Sequence, residues 1–263
     1  MTRDRYLTPS EQKIFGIIQE TDIASHDDLR RAFPDIHRLA INKIISSMLE
    51  KGYLYPLKKG KYLVQKEPSA NPLIQDPYRV ALSLYSGYIG FSSALRLYDL
   101  TDYEPFTIFV VTTSVSGHKT LGQYEFRRVS FGNKATGITF RKGVYVSTIP
   151  KTFFDCFFKP SHAGGYGEIT KAFHSVKNID WDEFLGYYKK FGSSSLCQRT
   201  GYVLELMKDA GYQTPGYVLK YLRSRTGKKT RLLPSVPSKG KYNSDWKLTD
   251  NAGKENILGW LHG

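Results

Sequence analysis

Three stretches of the sequence predict an α+β fold in two parts. Residues 8–52 hold three amphipathic runs, each bounded by helix-start or helix-stop signals, and residues 53–64 follow as a short ribbon, YLYPLKKGKYLV. Residues 106–149 hold a cluster of β-branched and aromatic runs that begins with FTIFVVTT. From Pro150 to about Tyr221 the pattern turns helical. Three helices and a two-stranded wing make a winged helix-turn-helix at the N-terminus; strands early and helices late make the larger second part a mixed α/β domain. The predicted boundaries are 1–66 for the winged helix, 67–76 for a linker and 77–263 for the second domain.

Thr8-Pro9-Ser10-Glu11 is a capping box with Pro at the first helical position, so it opens helix one. Ile14, Phe15, Ile17 and Ile18 supply its apolar stripe. Ser25-His26-Asp27-Asp28 caps helix two, which carries Leu29, Ala32 and Phe33 and stops at Pro34. A third helix is predicted from about Asp35 to Lys51, with Gly52 as its stop. At 100° per residue, Ala40, Ile41, Ile44, Ile45, Met48 and Leu49 share one side of it. Asn42, Lys43, Ser46 and Glu50 share the other, with Arg38 at the border near the N-terminal end.

In the ribbon, Tyr53, Leu54 and Tyr55 suit one strand, and Tyr62, Leu63 and Val64 the other. Gly60 supplies the turn. QKEPSANPLIQD, at 65–76, is polar and contains two prolines, as a linker does. Beyond it, residues 77–84 and 91–98 look helical, and strand-like runs recur at 106–113, 123–131, 137–142 and 144–149. The helical stretch after Pro150 breaks at 160–167 and 211–215. A short strand pair is expected near 230–233 and 245–249, then a closing helix at 253–261.

Composition narrows the classes. No apolar run approaches the roughly 20 residues a membrane span needs, and MTRDRYLTPSEQ lacks the apolar core of a signal peptide. Cys156 and Cys197 have no CxxC spacing, which fits a reducing cytoplasm and argues against a disulfide framework or a zinc site. No cofactor or metal is expected: there is no Walker loop, no dinucleotide fingerprint and no clustering of the six histidines, and His162 falls in what looks like a flexible loop. The formal charge of +14 and pI near 9.6 favour a polyanionic partner.

In a winged helix the third helix enters the major groove and the wing touches the backbone or the minor groove. Arg38 suits a bidentate contact to guanine and Asn42 one to adenine. Lys43 and Ser46 suit phosphates or mixed contacts, and Lys58, Lys59 and Lys61 at the wing tip suit phosphates. The bland alternative is a solvated helix face and a hairpin tip kept soluble by lysines. Residues 1–66 hold 12 Lys/Arg against 8 Asp/Glu, and the rest of the chain holds 26 against 16, so most of the positive charge lies outside the winged helix. From Lys220 to Lys241 there are eight cations and no acid, among them Arg223, Arg225, Lys228, Lys229 and Arg231, with Tyr217, Tyr221 and Tyr242 in or beside the stretch. It is either a second nucleic-acid or partner surface or a solvated, poorly ordered basic loop.

The second domain resembles the AbiEi family of abortive-infection antitoxins. The likeness is carried by FSSALRLYDL leading into FTIFVVTT, by VYVSTIPKTFFDCFFKPSHAGG at 144–165 and by RTGYVLELMKDAG at 199–211. With a winged helix ahead of it, the resemblance spans nearly the whole chain. It implies an autorepressor, not an enzyme, that binds an inverted-repeat operator in double-stranded DNA, and palindromic sites match two copies of a winged helix. It also implies a type IV antitoxin that counters a nucleotidyltransferase toxin and need not form a stable complex with it, either by acting on the toxin's modification or by competing for its RNA substrate. The basic stretch at 220–241 departs from the family pattern.

Two other classes compete. A nuclease delivered to DNA by the winged helix would draw on acids such as Asp155 and Glu168, although Asp155 in TFFDCFF suits a structural pairing better. A transcription factor that binds a small ligand in its second domain is the third.

Overall fold

The computed structural model describes residues 6–237 and 239–262; the first five residues of MTRDRYLTPSEQ lie outside the described residues. Helix α1 (Pro9–Ile18) begins on the expected capping box: the Thr8 amide donates to Glu11 Oε2 at 2.6 Å, and the Glu11 amide donates to Thr8 Oγ1 at 3.5 Å. A three-residue strand β1 (Ile23–Ser25) precedes α2 (His26–Ala32), and α3 (Arg38–Lys51) follows. Helix α3 starts three residues later than expected, because His37 caps it by accepting the Leu39 amide on Nδ1. Its stop is as read, with Gly52 left-handed at φ +83°.

Ile14, Ile18, Leu29, Phe33, Ile41, Ile45, Met48, Leu54 and Val64 close one core. Burying each large side chain is worth about 1.5–3 kcal/mol. The cores of α1 and α3 follow the rows Glu11–Ile14–Ile18 and Ile41–Ile45–Met48. Two residues assigned to the apolar stripes fall off these rows: Ile17 is 51% exposed and Ala40 is exposed; Ala32, read as apolar in α2, is exposed as well.

The ribbon is part of a three-stranded sheet, not two-stranded. Strands β2 (Leu54–Lys58) and β3 (Lys61–Val64) pair antiparallel around Lys59-Gly60, and β1 pairs with β3 on its other side. Tyr53 lies just outside β2. Pro56, which has no amide to donate, sits on an edge strand where none is needed.

Two ribbon residues pack across the predicted boundary at 66. Leu57 and Leu63 of the ribbon pack with Val80, Ala81, Leu84, Ile108, Leu121 and Phe126 of the second part. The segment 67–76 is pinned, unlike a free linker. Buried Gln65 accepts the Leu73 amide at 2.7 Å and donates to its carbonyl at 3.1 Å, the Ser69 amide donates to the Gly52 carbonyl, and Ile74 is buried.

The second part carries a mixed six-stranded sheet. Its strands are β4 (Tyr88–Ile89), β5 (Thr107–Thr112), β6 (Gly117–Leu121), β7 (Tyr124–Ser130), β8 (Ile138–Arg141) and β9 (Val144–Ser147), in the order β6-β7-β5-β4-β9-β8. Strands β4 and β6 were not foreseen. Helices α4 (Pro77–Leu84) and α5 (Phe91–Leu97) accompany the sheet. Gly87, at φ +153°, passes so close to Val111 that a Cβ would meet its carbonyl oxygen at 2.1 Å.

A helical layer follows: α6 (Ile149–Phe158), α7 (Tyr166–Ser175), α8 (Trp181–Phe191), α9 (Ser194–Asp209) and α10 (Gly216–Ser224). The chain ends in a small sheet and α11 (Lys254–Leu258). The expected late strand pair is a parallel pairing of β10 (Thr230–Arg231) with β12 (Leu248–Asp250), and β11 (Lys241–Asn243) adds an antiparallel third strand. The architecture is therefore mixed α+β. Among the described residues no helix is long and apolar enough to cross a membrane.

Candidate nucleic-acid interface

Helix α3 buries one row and exposes another, with Leu39 beside Arg38 also left 63% exposed. Ile41, Ile45 and Met48 are buried, while Arg38, Asn42, Lys43 and Ser46 are exposed. Arg38, Asn42 and Ser46 follow one another at four-residue steps and so form one row along the helix. The C-terminal half of the chain leaves this row open.

His26, which the sequence reading passed over, organises the surface beside the row. Its Nε2 lies 2.8 Å from Asn42 Oδ1. Its backbone amide donates to the Gly60 carbonyl at 2.8 Å. The turn of the ribbon, the start of α2 and the polar face of α3 are thus joined through one residue. Beside them, Arg30, Arg31, His37 and Arg38 line an open hollow of about 620 Å³. Arg31 is held by Asp28 at 2.7 Å; Arg30 is exposed.

The three lysines of the ribbon do not share a free tip. Lys58 and Lys59 are both exposed, Lys59 in the turn. Lys58 Nζ also donates to the carbonyl of Leu84, the last residue of α4, at 3.4 Å. Its pKa is lowered by burial and then by neighbouring Lys61. The cause is the docking of the ribbon. Leu57 and Leu63 are drawn into the second part's core, and Lys58 meets a helix C-terminus, whose free carbonyls favour a cation. Lys119 Nζ repeats the contact in reverse, donating to the Leu57 carbonyl at 2.6 Å. Lys61 is half-buried and lines a groove with Arg79, Tyr85, Phe140 and Tyr145.

Of the basic stretch at 220–241, residues 220–224 belong to α10, Thr230-Arg231 to β10 and Lys241 to β11, and the described residues between them run as turns and coil. Arg223 pairs with Glu205 and sits 5.0 Å over the Trp246 ring. Arg231 donates to the Val236 carbonyl at 3.0 Å. Arg225, Lys228 and Lys229 are exposed. Arg199, unmarked in the sequence, joins them from α9 by donating to the Arg231 carbonyl at 2.9 Å.

No protein-family model matches the chain, and no curated protein matches it. Among solved structures it is similar to the crystal structure of the RV2827C protein from Mycobacterium tuberculosis, with a TM-score of 0.66 and 15% sequence identity. The match covers 99% of this chain and 97% of that one. The likeness is one of fold, and it runs the length of both chains.

The acids and thiols considered for catalysis are sealed or scattered. Asp155 is fully buried, pairs with Lys151 and accepts the Tyr88 hydroxyl at 3.4 Å. Burial pushes its pKa up to about 7, against the lowering effect of Lys151 and Tyr88. Glu168 lies on α7, a different helix from the one that carries that pair. Cys156 and Cys197 are both buried, and burial raises both thiols. His162 belongs to a packed 3₁₀ turn, not a flexible loop. Its ring stacks on Phe109 at 4.9 Å and meets Phe91 edge-on, and burial, then Lys159 and Arg127, lowers it to about 4.

Proposed function

We propose that residues 6–66 are a winged helix-turn-helix that reads duplex DNA through α3, and that the chain is an autorepressor and antitoxin of the AbiEi type. The observation that carries this is the open row Arg38–Asn42–Ser46 with Lys43 beside it, on a helix whose opposite side is buried. The order α1-β1-α2-α3-β2-β3 supports it, because a three-helix unit closed by a ribbon is how such domains present their third helix to the major groove. The excess of +14 adds the long-range attraction that duplex binding needs.

On this reading Arg38 contacts a guanine edge, Lys43 and Ser46 fix the register on phosphates, and Lys59 and Arg30 hold the flanking backbone. Two copies on an inverted repeat occupy promoter DNA and block transcription sterically. The second domain counters a nucleotidyltransferase toxin, as its resemblance implies. We assign no catalytic role, since the most tempting acid, Asp155, is consumed by a buried ion pair.

Gel-shift titration of DNA from upstream of the protein's own gene tests the first half. Arg38→Ala is expected to weaken binding roughly five- to hundredfold and to relax the preference at one base pair, as loss of a bidentate contact worth ~1–3 kcal/mol requires. Unchanged affinity and unchanged preference would remove α3 as the reading helix. Co-expression with the adjacent gene tests the second half: growth arrest by that gene alone, relieved by this chain, is the expected result.

A further inference from the structure

The small C-terminal sheet lies outside α2, α3 and the ribbon, and its strand register brings together a set of groups that the proposed duplex contacts do not use. Arg231 is opposite Thr249, and Thr249 is opposite Tyr242. The three residues therefore share one row across β10, β12 and β11. Arg199 reaches this row from α9, where its Nε donates to the Arg231 carbonyl and its Nη2 to Thr230 Oγ1 at 3.3 Å. The Lys229 ammonium sits 4.7 Å over the Tyr242 ring, which remains 47% exposed. Arg199, Lys229, Thr230, Arg231, Pro234 and Thr249 line a hollow of about 460 Å³.

The charge there is unbalanced. Among the described residues no carboxylate pairs with Arg199, Lys229 or Arg231. The neighbouring acids are engaged elsewhere. Asp250 accepts from the Tyr202 hydroxyl and from the Ala252 and Gly253 amides. Glu205 accepts from Trp246 and Arg223. A half-buried guanidinium without a counter-ion is costly to hold, and Arg199 is such a group. Two guanidinium groups, an ammonium and two threonine hydroxyls around one hollow are donors matched to a phosphate.

We propose that this sheet is a site for single-stranded nucleic acid, with a phosphodiester held by Arg199, Lys229 and Arg231 and an adjoining base stacked on Tyr242. A single strand fits better than a duplex because only an unstacked base offers its face to an aromatic ring. RNA and DNA strands share this chemistry, and the test separates them. The site stands apart from the duplex-reading helix, since none of its side chains lies on α2, α3 or the ribbon.

The experiment is fluorescence anisotropy of the full chain with three labelled probes of one mixed sequence of about twelve nucleotides, a length within the usual range for such surfaces. The probes are an RNA strand, a DNA strand and the DNA duplex. Tyr242→Ala and Lys229→Ala alter exposed side chains, and thermal melting checks that both variants fold. The expected result is single-strand binding that weakens roughly five- to hundredfold in Tyr242→Ala, as loss of one base stack requires, and that weakens in Lys229→Ala with a shallower salt dependence. Equal binding of both strands assigns recognition to backbone and base face. RNA binding alone adds the 2′-hydroxyl, and either result supports the site. Absence of single-strand binding, or binding that both variants leave undiminished, overturns it. So does a duplex affinity that falls in Tyr242→Ala as much as the single-strand affinity.

Discussion

Nε2 of His26 and Oδ1 of Asn42 meet at 2.8 Å on the open side of α3. Because the amide oxygen can only accept, the imidazole is the donor. That changes what Asn42 offers to DNA. Bidentate reading of adenine needs both the amide oxygen and the amide nitrogen, and here the oxygen already accepts one hydrogen bond, which leaves it one lone pair and fixes the direction of the amide. Among the described residues the NH2 group has no such tie, and it also matches acceptor edges such as guanine O6 and N7 or thymine O4. His26→Ala is therefore expected to free the oxygen and shift the preference at Asn42's base pair toward adenine. Affinity for the native operator should fall by a few-fold, about the ~1 kcal/mol of one hydrogen bond. Titration against operators substituted at each position measures this. An unaltered base preference in His26→Ala would mean that Asn42 does not read a base through the amide that His26 orients.

The lysines of the ribbon should separate by role. Both Lys58 and Lys59 are exposed, but Lys58 also donates to the Leu84 carbonyl. Lys59→Ala is expected to weaken binding to all duplex sequences alike and to reduce the salt slope by about one unit, as loss of one phosphate contact does. Lys58→Ala should leave that slope nearly unchanged and lower the melting temperature, since it removes the cation from the end of α4. Binding measured between low and moderate salt, with thermal melting beside it, separates the two. Equal slopes in the two variants would place both lysines on DNA.

How far these features could be read in advance depends on how local their causes are. The Thr8–Glu11 capping box, the Gly52 stop and the polar row of α3 are set within a few residues, and they were legible. Strand β1 was not. Ile23-Ala24-Ser25 is too short to show alternation, and it is a strand only because β3, some forty residues on, pairs with it. Strand β6 was missed for a related reason. It lies at the edge of the sheet, and HKT in its middle carries no apolar signature. The docking of Lys58 follows from the burial of Leu57 and Leu63 against α4 and β5, which no local pattern reports. Arg199 gains its place from β10, whose Arg231 carbonyl lies beside α9, and no local pattern reports that pairing.

Glu11 joins the two ends of the N-terminal unit. It caps α1 and also accepts from Lys51, at the end of α3, at 2.6 Å. Burial alone would raise its pKa, but hydrogen bonds from Lys51, Ser47 and Thr8 outweigh it and bring the carboxyl down to about 2. A carboxylate depressed in the folded state stabilises above its unfolded value, near 4.5, and that contribution is lost as pH falls toward 2. Glu11→Gln should lower the melting temperature at neutral pH, and the gap to the unaltered protein should narrow as the pH drops below about 4.5. Melting curves across that range check the sign. A gap that widened on acidification would contradict the depressed value.

The pair Lys151–Asp155 lies one helical turn apart on α6, both side chains fully buried. Lys151 Nζ also donates to the Tyr88 hydroxyl at 3.0 Å and is ringed by Tyr88, Phe131, Phe154 and Tyr187 at 5.3–5.7 Å from their centroids. The pair sits where α6 meets β4, so it couples the helical layer to the middle of the six-stranded sheet. Two buried charges cost desolvation that their attraction does not always recover, but removing one leaves the other exposed to the full penalty. Asp155→Ala is therefore expected to destabilise the chain by about 3–5 kcal/mol. Lys151→Met combined with Asp155→Leu should recover most of that loss, because it removes both charges and refills the space. Urea unfolding of the single and double variants measures the difference. A double variant no more stable than Asp155→Ala would show that the pair is held for its hydrogen bonds to Tyr88 and not for charge balance. The register of α6 on the sheet would then depend on that hydroxyl.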